Sequence, residues 1–418
     1  MSAKHVFRNS HNYERESLDA LIEHLKNNTT SRLDNVLVNS TDVFCSEEIA
    51  RREFDEIFRS RIHFIGVSSD LPENGSFITL NDGIREVLAI RDEHGTFKAF
   101  INACPHRGAP VVLKKTGKIK NNTFVCKFHG WSFNTDGSLK SIAQEAKFGS
   151  ISNSCEGLTE LPAVEKLGLL WVHTEPTGAI DLDKYLGYDL ANKLENLEFD
   201  QMLNTSVVDY SMNCNWKFGI DGFCESYHFP YLHARTIGAV MHAHTTLFET
   251  YNDAHFRTLV ASRDIDNLDI RKRNSWELSD GALSVYVLFP NTVFIVIAGG
   301  CLVAWMIPAP GDPRSHRVRL ATYVYADANE EELEEIARRK RIASENNELY
   351  VPEFSTIADI FNLITIEEDY GLAEKLQVQY DTQVTSVKYG RNEAGLHAFY
   401  TTLRRRLGLP LMTVLNED

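Results

Sequence analysis

Residues 215–233 read NWKFGIDGFCESYHFPYLH, and two histidines, His228 and His233, share this stretch with two carboxylates, Asp221 and Glu225, among aromatic residues that belong in a core. Phe218, Asp221, Glu225 and His228 succeed one another at intervals of 3, 4 and 3, the spacing of one helical face. Three polar groups would then stand where a core stripe belongs, and burying them without partners would cost about 1–3 kcal/mol each. A metal supplies such a partner: neutral imidazole and carboxylate together suit iron, and two histidines with one carboxylate leave coordination positions open for oxygen. His228 and His233 are five residues apart, which on a straight helix puts them roughly 140° out of line. Pro230 between them is expected to kink or end the helix and swing His233 round. A kinked core helix with two hydrogen-bonded histidines is the competing reading of this stretch alone.

Working outward, the 418-residue chain is too long for one typical core, so two or three domains are expected. A formal charge of -15 argues against a nucleic-acid or anionic-membrane partner, since either calls for a clustered basic surface. Arg404, Arg405 and Arg406 read as a solvated helix face. No run approaches the roughly 20 apolar residues of a membrane span, and residues 1–28 have no signal-like apolar centre. The 7 cysteines are odd in number and without framework spacing, which fits a reducing, cytoplasmic location.

Residues 1–60 form an N-terminal segment with helical patterns at 17–25 and 46–58, expected to pack against another domain or subunit. From residue 61 to 175 short runs separated by turns predict an antiparallel β domain, with strands at 76–80, 86–91 and 97–102. Within it stand Cys104-Pro105-His106 and Cys126-Lys127-Phe128-His129, each a loop offering one thiolate and one imidazole. Structural zinc is the general alternative for two Cys and two His. Paired C-x-H and C-x2-H loops instead match a Rieske [2Fe-2S] cluster, where the histidines serve one iron and the cysteines the other.

With Arg107-Gly108 and Gly130-Trp131 beside those ligands, the chain from about residue 64 to 377 resembles the Rieske non-heme iron oxygenases, in particular the large (α) subunits of aromatic-ring-hydroxylating oxygenases. The resemblance implies an α+β chain: a β-rich Rieske domain at 61–175, a linker at 176–205, and a catalytic domain at 206–418 with an antiparallel sheet flanked by helices, of helix-grip type. It implies a cluster held by Cys104, His106, Cys126 and His129. It also makes His228 and His233 the two histidine ligands of a mononuclear iron. Glu225 stands where the family usually has Asp, a residue understood there to bridge the iron-site histidine to a Rieske histidine of a neighbouring subunit. Asp221, four residues earlier, takes a polar iron-pocket position, with a role behind the ligands.

Runs at 257–262, 282–289, 291–298, 301–307 and 316–326 read as the catalytic sheet, and a capping box at Asp327 starts a charged helix to about residue 346. His242 and His244, with no carboxylate at a recognised spacing, read as pocket or surface residues. Thr365-x-x-Glu368 is a second capping box, and the helix it starts would place Asp369 in a stripe with Ile366, Ala373 and Leu376, leaving Glu367 and Glu368 outside it. A lone buried Asp calls for a cation. The family pattern E-D-x4-E-x2-Q agrees, with Glu374 and Gln377 completing it; Glu368 is the second candidate for the carboxylate ligand. Phe218, Cys224, Tyr231, Leu232, Ile237, Met241, His244, Phe289, Val293, Phe294, Ile297 and Phe361 are expected to wall an apolar pocket.

The resemblance implies a terminal oxygenase component that mono- or cis-dihydroxylates an organic, aromatic substrate with O2. Demethylation of a methylated or quaternary amine is the alternative within the family. A bare Rieske electron carrier and a zinc-stabilised binding protein are alternatives from other classes. With no phosphate-cradling glycine motif after a strand, NAD(P)H would be used through a separate ferredoxin or flavin reductase. A homotrimer or an α3β3 assembly is expected from relatives.

Overall fold

The computed structural model describes residues 11–149, 151, 157–297, 299–325 and 357–415, so the helix expected at 327–346 lies outside the described residues. The chain divides into two compact units: Asp55–Tyr185 with Glu198–Met202, and Met1–Phe54 with Leu186–Leu197 and Leu203–Asp418. Residues 11–54 thus fold with the C-terminal unit instead of standing apart. The expected linker carries helices Leu182–Leu186 and Tyr188–Glu195 and is shared between the units.

The smaller unit is β-rich. A five-stranded sheet runs in the order Glu160–Leu161, Phe97–Ile101, Glu86–Arg91, Ser76–Asn81 and Thr116–Lys118, and two three-stranded sheets accompany it. The strands expected at 76–80, 86–91 and 97–102 fall within a residue of those observed. Alternating residues of these strands divide between two apolar clusters: Leu88, Ile90 and Phe100 pack in one, Val87, Ala89 and Ala99 in the other.

The larger unit is built on a seven-stranded sheet in the order Met202–Met212, Asp312–Tyr325, Gly300–Ala309, Thr292–Ile297, Ala282–Leu288, His255–Ser262 and Met241–Tyr251. The five runs read from sequence are its five interior strands. Its two edges were not foreseen: Met202–Met212 is largely exposed or half-buried and lacks the clean apolar alternation that marks an interior strand. Helix His11–Asn27 covers one face, packing Leu18 and Leu21 against Leu259, Ala261, Ile265 and Trp276. Buried Arg257 pairs with Glu14 of that helix at 3.0 Å and with Glu249 at 2.9 Å.

The opposite face receives helix Trp216–Cys224, because a Cβ added to Gly219 of that helix would lie 2.7 Å from Met306 Cγ of the sheet. Side chains alternate along a strand, so Val293, paired with Ala304, shares the face of Met306, whereas Phe294, paired with Val303, points to the other face. Phe294 is therefore removed from the expected pocket wall. Phe218 stacks on Phe44 at 4.7 Å between ring centroids, and Tyr231 is 74% exposed; neither takes its expected place in an enclosed wall.

His316, on the strand beside this helix, is fully buried, with Nδ1 2.7 Å from the Cys214 carbonyl oxygen and Nε2 3.3 Å from the Tyr370 hydroxyl. Burial pushes its pKa down to about 4. The unfolded chain protonates this histidine near pH 6.5 and the folded chain only near pH 4, so between those values the unfolded state binds more protons and stability falls as pH falls. We expect the wild type to lose about 2–3 kcal/mol more than His316→Leu between pH 7 and 4.5 in urea unfolding. Equal losses would remove His316 as the cause.

Candidate metal and cluster sites

Helix Trp216–Cys224 begins at Asn215, whose side chain accepts from Lys217 N at 3.1 Å and so caps a donor the helix leaves free. The same Asn215 is gripped from the chain's far end: its N–H donates to Gln377 Oε1 at 2.8 Å, and Asn213 N–H donates to Glu374 Oε1 at 2.8 Å. Glu374 and Gln377, which complete the E-D-x4-E-x2-Q pattern, thereby fasten the segment bearing Asp369 to the start of the helix that leads to the histidines. Lys217 and Glu53 form a fully buried ion pair at 2.7 Å, and Trp216 Nε1 donates to the other Glu53 oxygen at 2.9 Å.

The expected helical face from Phe218 to His228 is not continuous. The helix stops at Cys224, and Glu225 is extended, with φ -151° and ψ 167°. The Glu225 carboxylate turns back to accept from the backbone N–H of Tyr227 and of His228, the latter at 3.2 Å, and this closes the turn. His228 and His233 then meet within a run of turns, with Leu232 N–H on the His228 carbonyl at 2.9 Å and His233 N–H on the Phe229 carbonyl at 3.2 Å. Pro230 sits inside that first turn, where its missing N–H costs nothing. Residues 227–236 are a run of turns between helix Trp216–Cys224 and helix Ile237–Val240, so the two histidines are not bound to the roughly 140° separation of a straight helix.

Asp369 also arrives by a different route. Helix Ile357–Asn362 runs into a π-helical stretch, Leu363–Tyr370, and then into helix Gly371–Thr382, so Thr365 caps nothing and its hydroxyl is buried without a hydrogen-bond partner. Tyr370 closes the stretch; its hydroxyl would lie 1.9 Å from a Cβ at Gly219, which explains a glycine inside a helix where it costs about 1 kcal/mol relative to Ala.

The result is one compact group: ligand atoms of His228, His233 and Asp369 all lie within 4.8 Å of one another. His233 Nε2 is 3.0 Å and His228 Nε2 3.7 Å from Asp369 Oδ1, and the two Nε2 atoms are 3.1 Å apart. Each Nδ1 faces its own carboxylate, His228 against Glu225 and His233 against Glu368 at 2.7 Å. Those contacts assign the ring proton to Nδ1 in each case, leaving two Nε2 lone pairs and a carboxylate oxygen aimed at one point. Three acceptors so arranged repel one another unless a cation stands between them. Two imidazoles and one carboxylate suit a divalent iron with open positions. Burial lowers the pKa of His233, but hydrogen bonds and charge from Asp369 and Glu368 outweigh it and the net shift is upward, so proton and metal compete for this ring.

Asp221 is not brought into the group. Its Oδ1 accepts from the Tyr400 hydroxyl at 2.7 Å, and its enclosure pushes its pKa up to about 8, opposed by Tyr400 and Lys217. His242 does have a carboxylate, Asp266 at 2.9 Å, and His244 lies beside Tyr227, so these two stay outside the group as well.

The other unit presents the Cys/His loops in a matched pair. Cys104 N–H donates to the Ala109 carbonyl and Gly108 N–H to the Cys104 carbonyl; likewise Cys126 N–H donates to the Trp131 carbonyl and Gly130 N–H to the Cys126 carbonyl. Gly108 and Gly130 take φ of +75° and +72°, a conformation that favours glycine and closes each loop. Both cysteines are buried and free of disulfides. The His106 and His129 rings are 4.5 Å apart, and His106 lies flat on Trp131 at 5.1 Å. His106 Nδ1 is buried with no hydrogen-bond partner. Burial and the neighbouring Cys126 raise the Cys104 thiol pKa. Two enclosed thiols and an orphaned imidazole nitrogen fit a cluster with two sulfur and two nitrogen ligands, since metal ligation removes the thiol protons and satisfies the nitrogen.

Residues 62–162 match the Rieske [2Fe-2S] domain family, and residues 199–409 match the family described as ring hydroxylating alpha subunit (catalytic domain). The chain is 28% identical over 215 residues to biphenyl 2,3-dioxygenase subunit alpha of Rhodococcus jostii (strain RHA1), covering 50% of this chain and 45% of that protein. It is 31% identical over 198 residues to the large oxygenase component of the naphthalene 1,2-dioxygenase system of Ralstonia sp, covering 46% and 43%. The matched chain thus spans less than half the length of these curated relatives. Among solved structures, a quaternary ammonium Rieske monooxygenase in complex with L-carnitine aligns with TM-score 0.70 at 18% identity, over 89% of this chain and 96% of that one. Naphthalene 1,2-dioxygenase from Rhodococcus sp. bound to indole aligns with TM-score 0.69 at 17% identity, over 96% and 99%. Those two likenesses concern the fold, which is α+β as expected, and the two matched domains imply one [2Fe-2S] cluster and one mononuclear iron. The chain belongs to the ring hydroxylating alpha subunit family, with a Rieske [2Fe-2S] domain ahead of its catalytic domain.

Proposed function

We propose that this chain is a terminal oxygenase component that hydroxylates an organic, aromatic substrate with O2. The observation that carries the reading is the convergence of His228 Nε2, His233 Nε2 and Asp369 Oδ1 on one point, in a chain that also carries the paired Cys/His loops. Cys104, Cys126, His106 and His129 hold the cluster, and His228, His233 and Asp369 hold the iron. When bound, these two groups supply one-electron transfer and oxygen activation.

The chain's own residues supply position and enclosure. Glu225 fixes which nitrogen of the His228 imidazole is presented. The sheet face that carries Val293, Ala304 and Met306 is buried under the helix of Gly219 and fixes where that helix stands. An aromatic substrate is in keeping with relatives named for biphenyl, naphthalene and benzene. Asp221, enclosed and bonded to Tyr400, stands behind the ligands and keeps the helix end in place. A separate ferredoxin or flavin reductase delivers the electrons, the assembly is a trimer, and the location is cytoplasmic. Among the described residues no helix is long and apolar enough to cross a membrane. A Rieske electron carrier without oxygenase activity would have no use for the second constellation.

The test is iron and acid-labile sulfide per chain, with low-temperature electron paramagnetic resonance after dithionite reduction. About three irons and two sulfides with a Rieske-type signal are expected; zinc without sulfide would overturn the reading. His106→Ala should lose the cluster's visible absorption, and its retention would remove His106 from the ligand set. A screen by product mass, run with a reductase, then separates hydroxylation from removal of a methyl group.

A further inference from the structure

Glu368, adjacent to the metal carboxylate, has a different task from the one its position in the sequence suggests. We propose that Glu368 is a positioning residue: it holds the buried His233 ring by accepting from Nδ1, so that the Nε2 lone pair faces the metal. The inference rests on the reading of His228, His233 and Asp369 as a metal site.

His233 is 1% exposed, so no water can take over a hydrogen bond to its ring. Its Nδ1 lies 2.7 Å from Glu368 Oε2, while its Nε2 lies 3.0 Å from Asp369 Oδ1. Two consecutive carboxylates thus grip the two nitrogens of one imidazole. The widened i→i+5 turn of Leu363–Tyr370 is what sets both side chains against that ring, and such turns recur at functional sites. Glu368 is itself anchored, because the Thr236 hydroxyl donates to the same Oε2 at 2.8 Å. Thr236 is in turn held to the histidine's own segment, its backbone N–H donating to the His233 carbonyl at 3.0 Å. The loop Thr236-Glu368-His233 therefore closes on itself, and the ring can neither flip nor exchange its proton to Nε2 without breaking it. The pairing of Glu225 with His228 Nδ1 gives the other imidazole a carboxylate of its own. Hydrogen bonds of this kind to ligating histidines typically contribute about 10–100-fold in metal affinity.

The experiment is equilibrium dialysis of the cluster-loaded protein, stripped of its mononuclear metal, against Co(II), with bound metal quantified and the cluster's visible absorption as the measure of folding. Glu368→Ala should bind Co(II) about 10–100-fold more weakly than wild type with cluster absorption unchanged. Glu368→Gln, which keeps an acceptor oxygen at the same reach, should recover most of that loss. Thr236→Val should weaken binding in the wild type and add little to Glu368→Ala, because the threonine acts through the carboxylate. Wild-type affinity in Glu368→Ala overturns the inference. So does a Gln variant as weak as Ala, which would instead make Glu368 a ligand. If the wild-type protein itself takes up no Co(II), the metal site is what fails.

Discussion

Asp369→Ala is expected to abolish uptake of the mononuclear metal and with it all turnover, while the Rieske absorption and paramagnetic signal stay as in the wild type. The effect follows from geometry. Asp369 is the only carboxylate in the three-residue group, and its Oδ1 faces both Nε2 atoms, at 3.0 and 3.7 Å. Its removal leaves two neutral nitrogens 3.1 Å apart and no anionic ligand, since Glu225 and Glu368 are engaged on the far nitrogens of the two rings. The loss should exceed the ~10–100-fold typical of residues that act behind a ligand, so it should stand clear of the Glu368→Ala value in the same dialysis. Cys104, His106, Cys126 and His129 lie in the other compact unit, so cluster content serves as an internal control. Turnover at the wild-type rate would sink the assignment of Asp369. Loss of both metal centres together would point to misfolding instead.

The largest effect on stability is expected at Glu53. Lys217 Nζ lies 2.7 Å from Glu53 Oε1, and both side chains are shut off from solvent. Burial lowers the Lys217 pKa, and Glu53 offsets it both as charge and as hydrogen-bond acceptor. Glu53→Ala leaves that ammonium without its partner and strips Trp216 Nε1 of its acceptor, which should cost about 3–5 kcal/mol in urea unfolding of the larger unit. The pair by itself is not a large source of stability, because desolvating two ions consumes most of their attraction. A double replacement, Glu53→Leu with Lys217→Met, should therefore recover most of the loss. A Glu53→Ala unfolding free energy within about 1 kcal/mol of wild type would mean that water reaches Lys217. Lys217 lies on the helix that leads to His228, so Glu53→Ala should also weaken metal uptake, and the double variant should restore it if packing alone is needed.

The sequence by itself determined the ligand types and the β-rich frame. Cys104-x-His106 and Cys126-x2-His129 are short-range patterns, each confined to one loop, and local spacing is sufficient to specify such a loop. The five interior strands of the large sheet were legible because their runs alternate or are wholly apolar, with Gly and Pro between them. Met202–Met212, an edge strand that is largely exposed or half-buried, left no such trace. Covering of the sheet by the N-terminal helix was foreseeable only as an apolar stripe in need of a partner.

Tertiary structure alone decided how the mononuclear site closes. Helical spacing joined Glu225 and His228 to one face, but the carboxylate of Glu225 pays more by capping the turn, so the helix ends at Cys224. A capping box at Thr365 suggested a helix start, yet the stretch is π-helical and continuous with its neighbours, and this shift of register sets Glu368 on His233 Nδ1 beside Asp369 on Nε2. The roles of Glu374 and Gln377 were equally hidden, since their partners Asn213 and Asn215 lie more than 150 residues away in the chain. Local periodicity reports which residues can share a face of one element. Which residues meet across the chain depends on how the elements terminate and pack, and that information exists only once the chain is folded.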